Sequence, residues 1–157
     1  RYARRGAGSI GPVALDEAID GVRLLIGDRF RAKGVRLDLP TGPEARLTVI
    51  AGRVRLEQVL VNLLQNALDA VADRRDARVS VTVGRKGRDV VLTVADNGPG
   101  IDAAIADHLF TPFATSKKDG LGLGLGIARD IMTEFGGTLD LVPAPEGAIF
   151  RMILVKA

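Results

Sequence analysis

The sequence predicts an α/β (α+β) two-layer sandwich: a mixed, mostly antiparallel sheet with about three helices packed on one face. Three observations carry this expectation. Three segments place apolar residues at helical spacing, six short segments read as strands, and consecutive strands are joined by hairpin-length links. A doubly wound parallel sheet needs a long crossover between successive strands, so the short links argue against it.

The elements follow in order along the chain. Residues 1–13 read as a linker, with "RYARR" giving a basic lead. A first helix is expected from about Leu15 to Lys33, because Leu15, Ala18, Ile19, Val22, Leu25 and Ile26 recur at helical spacing and Gly34 is a stop signal. "VRLDL" alternates as a half-buried strand does, "PTGPE" turns the chain, and "ARLTVIA" follows, so these two are expected to pair as a hairpin. A second helix is the clearest element. Leu56, Val59, Leu60, Leu63, Leu64, Ala67 and Val71 form one continuous apolar stripe. "RVSVTVG" and "DVVLTVAD" are two strands joined by "RKGR". Residues 101–121 lack a sustained period and read as a long loop with one helical turn. A third helix is expected from about Gly122 to Phe135, with Ile127, Ala128, Ile131, Met132 and Phe135 inward, and "GGTLDLV" and "AIFRMILV" close the sheet.

Composition removes several function classes. The chain has 157 residues, 46% of them hydrophobic and 26% charged, which are ordinary values for one globular domain. No apolar run approaches the roughly 20 residues that span a bilayer, and no signal peptide is recognisable. With no cysteine, disulfide and thiolate chemistry are excluded, and one histidine, His108, cannot build a multi-histidine metal site. Aromatics are 4%, too few for a stacking surface on single-stranded nucleic acid. The net charge of +3 suits solubility and anionic ligands.

Three polar or glycine-rich features stand out, each with two readings. Asn62 and Asn66 lie four apart on one helical face. They are either part of a solvated stripe continued by Asp69 and Asp73, or neutral oxygen ligands suited to Mg²⁺. Asp96-Asn97-Gly98-Pro99-Gly100 closes a strand. It is either a turn, or a carboxylate beside glycines that let backbone approach a planar base. Gly120, Gly122, Gly124 and Gly126 alternate with leucines and run into a helix. They form either a hinge or a phosphate-binding helix start, with Lys117 and Lys118 just upstream. The run is not a P-loop, because the Lys-Ser/Thr ending is missing, and it lacks the setting of a dinucleotide fingerprint.

Together, "LEQVLVNLLQNALDAV", "VADNGPGI", "LFTPFATSK" and "GLGLGLGIARDIMTEFGG" resemble four ordered boxes (N, G1, F and G2) of the catalytic ATP-binding domain of sensor histidine kinases. That family sits within the superfamily of gyrase, Hsp90 and MutL ATPases. The resemblance runs from about Leu15 to the C-terminus, and the double Gly-Leu run is most similar to dicarboxylate and nitrogen sensors. It implies that Asn66 coordinates Mg²⁺ with Asn62 as companion, and that Asp96 bonds the adenine amino group. It further implies that Gly98, Gly100 and Ile101 shape the adenine pocket and that residues 101–121 form an ATP lid holding Phe110 and Phe113. Gly120, Gly122, Leu123 and Gly124 would meet the phosphates, and Lys117 would approach the terminal one. The implied cofactors are ATP and Mg²⁺.

Four departures qualify the match. Ala114 replaces the second lid aromatic, Gly126 replaces a small polar residue, and Asp69 stands where many relatives carry a base. Asn62 stands where the superfamily's hydrolases place a glutamate base; an amide cannot take that role. The resemblance therefore implies phosphoryl transfer rather than hydrolysis. The expected acceptor is a histidine on a dimerisation domain absent from this chain, with residues 1–13 as its tail and 14–157 as the catalytic domain. The expected parent is a homodimeric sensor passing phosphate to a response regulator, its catalytic portion cytoplasmic, with no nucleic acid and no membrane contact from this chain. An ATP-hydrolysing relative and a non-catalytic nucleotide sensor are the alternatives.

Overall fold

The computed structural model describes residues 9–111 and 121–157. Phe113, Ala114, Lys117, Lys118 and Gly120 lie outside the described residues. The strands are β1 (Gly11–Ala14), β2 (Arg36–Asp38), β3 (Thr48–Ala51), β4 (Arg78–Lys86), β5 (Asp89–Asp96), β6 (Thr138–Val142) and β7 (Ile149–Val155). The helices are α1 (Leu15–Lys33), α2 (Arg53–Val71), the short α3 (Ala103–Ala106) and α4 (Leu121–Glu134). The main sheet has five strands in the order β2-β4-β5-β7-β6, parallel only between β2 and β4. It is the expected mixed, mostly antiparallel sheet.

Alternation along the strands decides which face is covered. Val79, Val81, Val90, Leu92, Val94, Leu139, Phe150, Met152 and Leu154 are all buried in one core with the helices. Their intervening neighbours, such as Ser80, Thr82, Thr93 and Arg151, point the other way along a period of two. α2 is the central helix of the second layer. Its stripe of Leu56, Val59, Leu60, Leu63, Leu64, Ala67 and Val71 is at most 4% exposed. It runs parallel to α1, since Arg53 pairs with Glu17 and Arg29 with Gln65 at the same sequence offset. It runs antiparallel to α4, where Arg55 meets Glu134 and Asn62 meets Gly124.

Four expectations need correction. The segments around β2 and β3 do not form a hairpin. β2 pairs in parallel with β4, and β3 pairs antiparallel with β1 in a separate two-stranded sheet. The link between them holds Pro40 and Pro43 and coils as a 3₁₀ turn at Gly42–Ala45. Proline supplies no N–H donor and fixes the backbone, so this link redirects β3 instead of folding it back. The rerouting buries Val49 and Ala51 completely. β1 begins at Gly11, inside the stretch expected to be a linker. Leu25 and Ile127, expected inward, are 56% and 53% exposed. Both lie at the margin of their helix's apolar stripe, where the neighbouring helix no longer covers them.

α4 ends where Gly136 takes a left-handed φ of 82° and the Gly137 amide bonds back to the Met132 carbonyl, 2.9 Å away. A glycine closing a helix in this conformation avoids the Cβ strain other residues meet. Gly137 has a second constraint: a Cβ there would overlap the Ile153 carbonyl oxygen of β7. Gly137→Ala should destabilise the chain by about 2 kcal/mol through overpacking, read as a lowered urea midpoint with an unchanged slope.

Candidate nucleotide-binding site

A cleft of about 230 Å³ opens where α2, the end of β5 and the start of β7 converge. Asn66, Ala67, Asp69 and Ala70 form one wall, Asp96, Pro99, Gly100 and Ile101 a second, and Leu125, Ala148 and Phe150 the floor. The lining is mainly apolar with a few polar groups, the usual composition of a small-molecule site.

Asp96 is the ionisable group at the inner end. Its Oδ1 accepts from the Gly98 amide at 2.8 Å and from the Ala148 amide at 3.3 Å. Burial pushes its carboxyl above the ordinary aspartate range, opposed by those two backbone donors. The main chain around it admits only glycine at two points. A Cβ on Gly98 would sit 2.9 Å from the Ala70 carbonyl oxygen, and one on Gly147 would overlap the Asp96 carbonyl oxygen. Gly100 has a φ of 86°, which places the following Ile101 against the cleft. Asn97 is 6% exposed and ties the strand end to the chain entering β4. Its Oδ1 accepts from the Arg78 amide at 2.9 Å, and its Nδ2 donates to the Asp76 carbonyl at 2.8 Å.

The two asparagines of α2 separate in role. Asn66 lines the cleft, and its buried Nδ2 has no hydrogen-bond partner among the described residues. A buried polar atom left without a partner costs stability, which marks Asn66 as a candidate ligand contact. Asn62 does not line the cleft. Its Nδ2 donates to the Gly124 carbonyl at 2.8 Å, and a Cβ on Gly124 would stand 2.9 Å from that same nitrogen. Gly124 thus permits the close approach of α4 to α2, and Asn62 locks it. Gly122 and Leu123 lie in the first turn of α4, where backbone N–H groups have no intrahelical acceptor.

The sequence reading brought Asn66, Asp96, Gly100 and Ile101 to one cleft, with Gly98 and Gly124 as close-approach points beside it. It missed Gly147, Ala148, Leu125 and Phe150, which come from distant segments. The only local signal was a glycine directly preceding the last strand. A second, more open cleft of about 620 Å³ lies between α3, α4 and β6, and shares Ile101 and Ala148 with the first. It contains no buried acid of the Asp96 kind.

Residues 51–157 match the family model described as "Histidine kinase-, DNA gyrase B-, and HSP90-like ATPase". The chain belongs to this family. Among relatives of this ATPase domain, it is 47% identical over 159 residues to the C4-dicarboxylate transport sensor protein DctB of Rhizobium meliloti (strain 1021), matching 100% of this chain and 25% of that protein. A second DctB, from Pseudomonas aeruginosa, is 39% identical over 98% of this chain and 26% of its own length. The chain thus spans about a quarter of these curated relatives. Among solved structures it is similar to the nucleotide-free catalytic domain of histidine kinase ThkA, with a TM-score of 0.83 and 30% identity over 94% of this chain and 96% of that one. The fold and motifs are those of a histidine kinase ATP-binding domain.

The raised carboxyl of Asp96 sets a pH signature for the ligand-free ATPase domain. The native state holds this proton more tightly than the unfolded chain does. Stability attributable to Asp96 is therefore present below the ordinary aspartate value, about 4, and is lost as pH rises through the higher native value. Urea titrations from pH 3.5 to 7 should show wild type losing ground to Asp96→Asn across that window; parallel curves would contradict the burial argument.

Proposed function

We propose that this chain binds Mg²⁺–ATP in the cleft at Asp96 and presents the γ-phosphate for transfer to a histidine on a dimerisation domain of a sensor kinase. The observation that carries this reading is the partly desolvated Asp96 carboxylate, held by the Gly98 and Ala148 amides in a mainly apolar cleft. A carboxylate accepts from an exocyclic amine such as that of adenine, and guanine turned the same way would present its O6 carbonyl and be repelled. Gly98, Gly100 and Ile101 would frame the base, and the phosphates would run along α2 towards Gly122, Leu123 and Gly124. Lys117 and Gly120 are assigned to the phosphate end by sequence match alone.

Mg²⁺ fits the residues present. Among the described residues no group of three His, Cys, Asp or Glu could hold a metal. An ion here would therefore need phosphate oxygens for most of its shell, as Mg²⁺ commonly does. Asn66 would supply one amide oxygen to the ion, and its Nδ2, unpartnered among the described residues, would donate to a phosphate oxygen. When bound, Mg²⁺ neutralises charge on the phosphates. The chain's own contribution is positioning: Asp96 fixes the base, Asn62 clamps α4 to α2, and the first turn of α4 offers N–H donors.

Hydrolysis is the rival reaction. Asn62 counts against it, since an amide donating to the Gly124 carbonyl has no basic lone pair to activate water. Transfer within a homodimeric parent and relay to a response regulator remain part of the proposal. The solved complex of histidine kinase ThkA with the response regulator protein TrrA, 28% identical to this chain over 94% of its length, supports that relay by analogy. A cytoplasmic location follows from the proposed reaction, which needs cellular ATP; among the described residues no helix is long and apolar enough to cross a membrane.

Calorimetry tests the site. Asp96→Asn should weaken ATP binding at least tenfold, and Asn66→Ala should remove the Mg²⁺-dependent part of the affinity. Wild-type affinity in both variants would overturn the assignment. Labelled ATP mixed with this chain and a histidine-bearing dimerisation domain from the same parent should label that domain; release of free phosphate instead, abolished by Asn62→Ala, would favour the hydrolase.

A further inference from the structure

Three contacts converge on Phe110, which follows α3. Its ring meets that of Phe150 edge-on, with centroids 6.3 Å apart and planes at 88°. The Arg129 guanidinium of α4 lies over its face, 4.3 Å from the centroid. Arg129 is itself held by Asp140 of β6, Nη2 to Oδ1 at 2.6 Å. The Phe110 carbonyl oxygen approaches α4 so closely that a Cβ on Gly126 would stand 2.8 Å from it. Phe150 is also part of the floor of the Asp96 cleft, and Ile101, at the start of the same segment, is part of its wall.

We infer that Arg129 is a positioning residue for nucleotide binding, acting through Phe110. A planar guanidinium can spread over a ring and still bond a carboxylate, which a lysine ammonium does less well. Asp140 orients Arg129, Arg129 presses Phe110 onto Phe150, and the segment from Ile101 to Thr111, whose first residue lines the cleft, is thereby seated. Arg129 is not among the residues that line the Asp96 cleft; with Phe110 and Asp140 it lines the larger neighbouring one. α4 carries this clamp and Gly124 on successive turns, so one helix anchors both the wall and the Asn62 lock. The inference deepens the proposed ATP site and rests on it.

The test uses the 157-residue chain, Mg²⁺–ATP calorimetry, amide hydrogen exchange over residues 101–111, and ligand-free melting. Arg129→Met should weaken ATP binding about three- to tenfold and speed exchange in that segment, with melting little changed. Arg129→Lys should recover only part of the loss. In a Phe110→Leu background, Arg129→Met should add nothing. Asp140→Asn, which loosens the arginine but keeps the stack, should give an intermediate loss and covers the case where Arg129→Met folds poorly. Wild-type affinity and exchange in Arg129→Met would overturn the clamp. So would a full effect persisting on the Phe110→Leu background, which would mean that Arg129 acts by another route. If wild type itself fails to bind ATP, the site reading falls; unaltered exchange in Arg129→Met would then count separately against the clamp.

Discussion

The site depends first on the contact between Gly147 and the end of β5. No side chain fits there, because a Cβ on Gly147 would overlap the Asp96 carbonyl oxygen. The closeness lets the main chain bond in both directions: the Asp96 amide donates to the Ala148 carbonyl at 3.0 Å, and the Ala148 amide donates to Asp96 Oδ1. The carboxylate is thus oriented by backbone, which has little freedom to relax, and is desolvated by the same packing. A group held this way is ready for a ligand amine before the ligand arrives, which lowers the ordering cost of binding.

α2 supplies the second constraint. Its apolar stripe is consumed by the core, so it cannot turn on its axis without exposing Leu60, Leu63 and Leu64. Its polar edge must then fall where the sheet ends and α4 begins. Asn62 meets Gly124, Asn66 meets the cleft, and the Ala70 carbonyl meets Gly98. One helix therefore sets the distance between the two ends of the proposed ligand, and core packing holds that distance.

The polar groups of this region differ in how far the fold satisfies them. Asn97 is buried and fully engaged with the neighbouring backbone, so its role is architectural. Asn66 is left with a buried nitrogen that nothing among the described residues satisfies, and Asp96 keeps a carboxyl that burial penalises. Folding alone would favour replacing both. Both costs would be offset by the proposed ligand.

Much was legible in the sequence because it is local. Helical stripes, alternating strands and the glycine stop after α1 follow from side-chain period and backbone preference, which neighbouring residues determine. The order of four motifs also identified the family, and Asn66, Asp96 and Gly100 fell at one cleft. The partner of each strand was not legible. β2 pairs with β4 and β3 with β1 because a proline-bearing 3₁₀ turn redirects the chain, and pairing is a choice among distant edges. Nor was the fate of Asn62, whose amide is taken by a carbonyl on another helix, or the part of Gly147, Ala148 and Phe150, which reach the cleft only when β7 lies beside β5. Period and propensity belong to a segment by itself; pairing, close approach and burial belong to two segments at once, and only the tertiary structure decides them.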